Sequence, residues 1–516
     1  ELHPPTAPAP GYPLAAGRVK TYEFIVGVDT PGATLSLLAR DELHAYPDPE
    51  YVAGTGAAPR FVALTDKRFP GFAAYVANSR RQDTAARLYG DVDFGDQIGW
   101  KSEERWNGYH GVTHEWFGFY LASGEPELFQ IAEQQVWHSL DVDTQHWGYQ
   151  PGCREAEYAR QHDHVCAALY QGGIKLWCLG EADYYLLTGR RRVLESLARS
   201  ARFLLGCGGM SQHHYLPERA TSLPFLHLVH LYEVLGDEAA LHQAWPRAMK
   251  AGAGKFRRDS LGAEFSASCL ATFKEVSDFF NQVYDEGKHV QCSFLASYPA
   301  EALHRYYLLT GDPGGKAGVL KAARFLYQDL ALPTGIIKYA GGPPWDALSP
   351  WMPWWDGVEA PAALAYDLTG DKQYLEWGKA PVDWILNLRR QAYSSSPWAW
   401  QGAMGFGGTL GTYLWALRKA GLTQDDIVKP RSDRDYAQAL ATCQAECEKH
   451  RDRAMQNTGE SQIFCRLAAE IGRVLIGQGR YDEAISWLEP WSKAPYGVYP
   501  GWALARAREL QAAGKP

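Results

Sequence analysis

One phrase recurs five times along this chain, and each copy ends on a glycine. It reads Phe119-Tyr-Leu-Ala-Ser-Gly124, Tyr184-Tyr-Leu-Leu-Thr-Gly189, Leu231-Tyr-Glu-Val-Leu-Gly236, Tyr306-Tyr-Leu-Leu-Thr-Gly311 and Ala365-Tyr-Asp-Leu-Thr-Gly370. Each copy closes an apolar run of helical periodicity, and a second helical run follows it. Glycine at that point can take the left-handed conformation that ends a helix. The phrase therefore marks an αα-hairpin, repeated in steps of roughly 50 to 75 residues. Solenoids keep a tighter period. The irregular step predicts large loops and a closed α/α toroid rather than an open array.

The 516 residues suffice for a large core and more than one domain. Three regions are expected. Residues 1–65 read as the end of a β-sandwich or as strands on the rim, with Tyr22–Val28 and Arg60–Leu64 as short strands. Residues 66–425 form the toroid, a catalytic domain of mainly α, (α/α)6 type. Residues 433–516 have a tetratricopeptide-like helical texture around Gly477-Gln-Gly479-Arg-Tyr481, expected as a cap docked on the toroid.

A formal net charge of −8 with interspersed signs argues against a nucleic-acid or anionic-membrane partner. No apolar run reaches the roughly 20 residues of a spanning helix. The chain opens at Glu1 without Met and is read as processed or as a piece of something longer, with a secreted or periplasmic location expected. The nine cysteines show no CxxC pair or zinc-ribbon spacing and read as small buried hydrophobes, although Cys443 and Cys447 fall on one helical face. The 19 Trp and 29 Tyr exceed what a core needs, and flat faces of this kind suit sugar rings. Helical toroids often handle carbohydrates.

Polar side chains concentrate between residues 91 and 185. Asp91-Val-Asp93-Phe-Gly-Asp96 lacks the spacing of a calcium loop. His110 and His114 have the i,i+4 spacing of a zinc pair. The position after the first His, where a zincin needs Glu, is Gly111, so the metalloprotease reading fails. Asp141-Val-Asp143-Thr-Gln-His146 and Gln161-His162-Asp163-His164 follow at adjacent helix ends. No cofactor is required by the pattern. A divalent cation held at Asp143 and His146 is an open expectation, and nothing in the spacing names the ion.

The order of Gly99-Trp, Trp106-Asn107-Gly-Tyr109-His110, Asp141-Val-Asp143-x-x-His146, His162/His164 and Glu181-Ala-Asp-Tyr184 to Gly189 resembles that of exo-rhamnogalacturonan-lyase-like proteins. Tyr46-Pro-Asp-Pro-Glu-Tyr51-Val-Ala-Gly-Thr-Gly56 also resembles the end of their β region. The resemblance covers roughly residues 20–205 and implies a polysaccharide lyase with an (α/α)6 toroid behind β-sandwich domains. Where that family tends to show Asn-x-Glu-Tyr-Asp, this chain has Asn107-Gly-Tyr109-His110, without either acid.

Such a lyase removes the C5 proton of a uronate by β-elimination. The sugar carboxylate must be neutralised as the dianion forms, and a base and an acid must reach C5 and the leaving oxygen. Arg105 and Asn107 are candidates for neutralisation, His164 or His162 for the base, and Tyr109 or Tyr215 for the acid. Trp106, His110, Asp143, His146, Lys175, His213, Trp354, Trp355 and Trp400 are expected to bind an acidic polysaccharide or oligosaccharide. Two alternatives stand beside the lyase. A glycoside hydrolase would use opposed carboxylates such as Asp143 with Glu181 or Asp356 with Glu359. A glycan-binding or scaffolding protein would have lost catalysis.

Overall fold

The structure, a computed structural model, describes residues 28–29, 48–57, 59–86, 97–98, 105–106, 111–144, 176–206, 221–236, 261–287, 291–331, 337–338, 340–341, 351–352, 357–392, 408–424, 426, 433–456, 459–495, 497–512 and 514. Helices dominate. After α1 (Pro49–Thr55) and α2 (Pro70–Ala86) come α3 (Val112–Ser123), α4 (Pro126–His138), α5 (Leu179–Thr188) and α6 (Arg191–Gly206). Next are α7 (Ser222–Leu235), α8 (Leu261–Glu286), α9 (Ser297–Thr310) and α10 (Pro313–Arg324). The ring is completed by α11 (Ala360–Thr369), α12 (Lys372–Ala392) and α13 (Thr409–Lys419).

The odd-numbered helices from α3 to α13 pack in series, α3 on α5, α5 on α7, α7 on α9, α9 on α11 and α11 on α13. Each of α3 to α11 also packs on the helix that follows it, and α12 lies against both α13 and α2. That is an inner ring wrapped by an outer one. The inner helices are apolar on nearly every side: α7 buries twelve of its residues, from Ser222 to Leu235. A helix hydrophobic all round belongs between layers rather than at a surface. Phe117 and Tyr120 of α3 are fully buried against Phe129 of α4, and Phe117 also against Tyr184 of α5, each contributing roughly 1.5–3 kcal/mol.

The recurring phrase is the inner-to-outer turn. In all five copies the glycine N–H donates to the carbonyl of a tyrosine four residues back, Tyr120, Tyr185, Tyr232, Tyr307 or Tyr366. Gly124, Gly189, Gly311 and Gly370 sit at φ between 66° and 75°. Gly236 departs from that expectation, with φ −63°. It is needed for space instead, because a Cβ there would stand 2.6 Å from the Tyr232 carbonyl. The threonine before the glycine works twice: Thr310 Oγ1 donates to Tyr306 O and accepts from Asp312 N. Asp312 then caps α10, with Pro313 at its first position.

The sixth pair comes from the two ends of the ring. Phe72 and Tyr75 of α2 pack on Phe119 of α3. At the other edge, Gln424, just past α13, accepts from Gly71 N and donates its own N–H to Arg68 O. Residues 53–57 and 59–63 fill the seam between α13 and α3. Trp415 Nε1 donates to Ala53 O, and Gly411 fits close against the Arg60 carbonyl, where a Cβ would lie 2.6 Å away.

That seam corrects two expectations. Arg60–Leu64 is not a strand, because Phe61, Val62 and Ala63 are buried as a wedge between helices. The stretch from Asp48, expected as the end of a β region, starts a helix: Asp48 caps α1 through Glu50 N and Tyr51 N, with Pro49 at the first position. Residues 48–57 and 59–65 thus pack with the toroid helices. The expected strand at 22–28 falls outside the described residues apart from Val28.

Short antiparallel pairs punctuate the outer-to-inner loops. β1 (Gln97–Ile98) pairs with β2 (Arg105–Trp106), β3 (Gln291–Cys292) with β5 (Ala340–Gly341), and β4 (Ile337–Lys338) with β6 (Trp351–Met352). The tail is four helices, α14 (Asp433–His450), α15 (Gly459–Gly477), α16 (Tyr481–Leu488) and α17 (Val498–Ala512). They pack on one another, and α17 also lies on α12 and α15 on β6. Cys443, Cys447 and Cys465 are buried between α14 and α15, and burial pushes the Cys447 thiol up to about 12. Among the described residues, no helix is long and apolar enough to cross a membrane.

Candidate functional site

Tight glycine turns occupy one end of the toroid, so the long outer-to-inner connections occupy the other. This loop end is where an α/α toroid has material to build a site. Most of the predicted site falls outside the described residues: Asn107, Tyr109, His110, His146, His162, His164, Lys175, His213, Tyr215, Trp354, Trp355 and Trp400. Arg105 and Trp106 are described in their backbone, as the strand β2 paired to Ile98 and Gln97. That hairpin stands a few residues ahead of the first turn of α3, at the loop end.

Asp143 is described fully. It closes a wide π-type turn, Ser139–Asp143, with which α4 ends, and Thr144 N donates to Ser139 O. Asp141 and Asp143 are both buried, and Arg192 pairs with Asp141. His138 Nε2 lies 3.5 Å from Asp143 Oδ1. Ser139 Oγ donates to Glu181 Oε1 at 2.6 Å. The turn at the end of α4 and the first turn of α5 are therefore joined through Ser139 and Glu181.

Other buried polar groups line the starts of the inner helices. Glu115 of α3 accepts from Tyr75, and Thr409 at the start of α13 donates to Glu359 beside the start of α11. Trp177, just before α5, is buried with φ +42°. For a bulky residue that is a strained backbone, and it is fixed here by packing on His227 of α7 and Tyr298 of α9. Neither His227 nor Tyr298 is among the residues that the sequence singles out.

Further along the axis runs a belt of ion pairs. His114 of α3 contacts Asp183 of α5. His114 also meets His230 edge to face at 5.8 Å, although α5 stands between their helices in the ring, so the contact spans the lumen. Arg305 of α9 reaches Glu233 of α7 at 2.7 Å and Glu301 at 3.2 Å. His304 Nε2 is 2.9 Å from Asp367 Oδ2 of α11, and Arg60 joins the same carboxylate at 3.3 Å.

Burial sets the charge states in this belt. It lowers His230, helped by Arg305, and lowers His304 despite Asp367. Burial alone would raise Glu301 and Asp367. The His230 contact and Arg305 outweigh it for Glu301, and His304, Lys419 and Arg60 do so for Asp367. Both carboxyls are held well below the usual range. His230 and His304 are thus neutral imidazoles beside the ionised carboxylates of Glu301 and Asp367. The His–carboxylate contact fixes the tautomer, so each ring has a defined donor and acceptor. No group of metal-ligating side chains gathers among the described residues.

No protein-family model matches the chain, and no curated protein matches it. Among solved structures it is similar to a sugar epimerase from a ruminal bacterium, at 14% identity and a TM-score of 0.42, over 66% of this chain and 98% of that one. It is also similar to a mutant of an unsaturated glucuronyl hydrolase from Streptococcus agalactiae, at 11% identity and a TM-score of 0.31, over 73% of this chain and 84% of that one.

Proposed function

We propose that this protein is a carbohydrate-processing enzyme that cleaves a uronate-containing glycan by β-elimination at the loop end of its toroid. One observation carries the proposal. The Arg105–Trp106 strand, the Asp143 turn and the first turn of α5 all belong to the loop end of the first inner helices, and these are the segments that the lyase resemblance singles out. In this account Arg105 and Asn107 neutralise the sugar carboxylate. His164, or His162 beside it, takes the C5 proton, and Tyr109 or Tyr215 protonates the leaving oxygen. Trp106, His110, Lys175, His213, Trp354, Trp355 and Trp400 hold neighbouring sugar units. A divalent cation at Asp143 and His146 would add positive charge beside the carboxylate.

A second reading, glycoside hydrolysis, would use buried carboxyls of this end such as Asp143 and Glu181, whose helix ends are tied together through Ser139. An opposed pair of carboxyls is what general-acid hydrolysis requires. Products separate the two. Incubation with uronate-rich polysaccharides should yield unsaturated uronate ends with their ultraviolet absorbance. New reducing ends without that absorbance would establish hydrolysis and overturn elimination.

A further inference from the structure

Two imidazole–carboxylate pairs border one cavity in the lumen. His114 of α3 contacts Asp183 of α5 through Nδ1, and His304 of α9 contacts Asp367 of α11 through Nε2 at 2.9 Å. His114 and His304 both line the cavity, together with Arg60, Glu301, Arg305 and Thr412. In the ring of six inner helices α3 and α9 stand three places apart in either direction, so the two imidazoles come from opposite sides of the lumen. The lining also includes Ala360 and Thr409, at the starts of α11 and α13, and so runs up to the loop end.

Each carboxylate fixes its ring. With His304 neutral, Nε2 carries the hydrogen given to Asp367 and Nδ1 keeps a bare lone pair. Nδ1 bonds to none of the described residues, although the ring is buried. His114 is held in the same way through Nδ1, with His230 packed edge to face on its ring at 5.8 Å. Its Nε2 also bonds to none of the described residues. A buried imidazole with a carboxylate on one nitrogen, the other nitrogen open and a cavity beside it is equipped as a general base or acid.

Two such groups on opposite sides suit a proton transfer at a single carbon next to a carbonyl, such as C2 of an open-chain aldose. The base takes the C2 proton, the C–H electrons form the C1–C2 double bond, and the carbonyl electrons move to the oxygen of an enediolate. The protonated partner returns a proton to C2, the carbonyl reforms, and both imidazoles recover their protons from water. No oxidant, reductant or co-reactant is consumed. Arg60 and Arg305 line the same cavity and place fixed positive charge near the enediolate oxygen. Glu301 and Thr412 offer acceptors for the sugar hydroxyls.

We propose that the lumen is a second acid–base centre, with His304 as base and His114 as acid, exchanging the hydrogen next to the carbonyl of an open-chain aldose. The choice of a sugar rests on the carbohydrate reading above, but the reaction does not depend on elimination. The full chain incubated in D2O with D-glucose, D-mannose and D-galactose should replace the C2 hydrogen by deuterium, read as loss of the C2 proton signal in NMR. His304→Gln and His114→Gln should each slow that exchange by on the order of 10² to 10⁴. Thr412→Leu, which fills the cavity and changes neither pair, should slow it at least tenfold. Thermal midpoints of the three variants show which of them fold. No exchange by the wild-type chain, or undiminished exchange in any folded variant, would overturn the centre. If both His variants fail to fold, the wild-type chain and Thr412→Leu decide the matter. These sugars carry no carboxylate and cannot undergo the elimination, so a failure here leaves the proposed function standing, and a missing elimination leaves this test intact.

Discussion

His304 Nε2 and Asp367 Oδ2 lie 2.9 Å apart and tie α9 to α11 beside the lumen. Arg60, from the seam that closes the ring, shares the same carboxylate at 3.3 Å. One acid therefore joins two inner helices and the closing segment. Removing it while leaving its partners buried should cost about 3–5 kcal/mol, as for other broken buried pairs. Asp367→Asn, which keeps the shape, is expected to lower the thermal midpoint markedly, and calorimetry reads it directly.

The belt also predicts an acid limit. His304 and His230 have folded pKa values below the ordinary 6.5, so the unfolded chain binds protons first as pH falls. Their contribution is complete above about pH 6.5 and declines below it. Asp367 and Glu301, depressed in the folded state, add a further loss as pH falls below about 4. The thermal midpoint should drop from pH 7 to pH 5, and His304→Gln should flatten that slope. An unchanged slope in the variant would remove His304 from the account.

The glycine turns make a graded set. Gly311 at φ +71° should cost about 1–2 kcal/mol when replaced by Ala, the penalty of a left-handed L-residue. Gly236→Ala should also destabilise, by contact with the Tyr232 carbonyl rather than by φ. Gly311→Asn should then recover part of the loss, since Asn tolerates the left-handed region, while Gly236→Asn should recover none. Denaturant midpoints of the four variants test the difference.

Thiol accessibility follows from burial. Cys178, Cys269, Cys443, Cys447 and Cys465 are buried, and burial raises the Cys269 thiol to about 12, far from the thiolate needed for reaction. Mass-mapped alkylation at neutral pH should leave these five unmodified until denaturant is added.

Much of the fold was legible because the turn chemistry is local. Thr310, Gly311 and Asp312 act within a few residues of one another, so one phrase announces helix end, turn and new helix. The sixth pair was not legible, because α2 and α13 come from opposite ends of the ring and meet only through contacts such as Gly71 with Gln424. Residues 60–64 look like a strand because apolar runs suit both a sheet and a wedge between helices. The belt was missed for a different reason. His114 and Asp183 are far apart in sequence, and a lone His or Asp in an apolar helix reads as incidental. A signal did exist. Asp183, His230 and Arg305 each stand six residues before their glycine, and His114 and Glu301 each stand ten before theirs, offsets that share the lumen face. The loop residues at the proposed reaction centre could be named only from residue types and their order, since nothing local fixes a loop's neighbours.

The most direct test of elimination at the loop end is the rate of unsaturated-product formation by His164→Ala beside the wild-type protein. The wild-type rate should rise with pH through about 6.5, as a neutral imidazole becomes available. The variant should lose on the order of 10² to 10⁴ in rate, with substrate binding nearly unchanged. Full turnover by His164→Ala, with His162 also dispensable, would contradict the account.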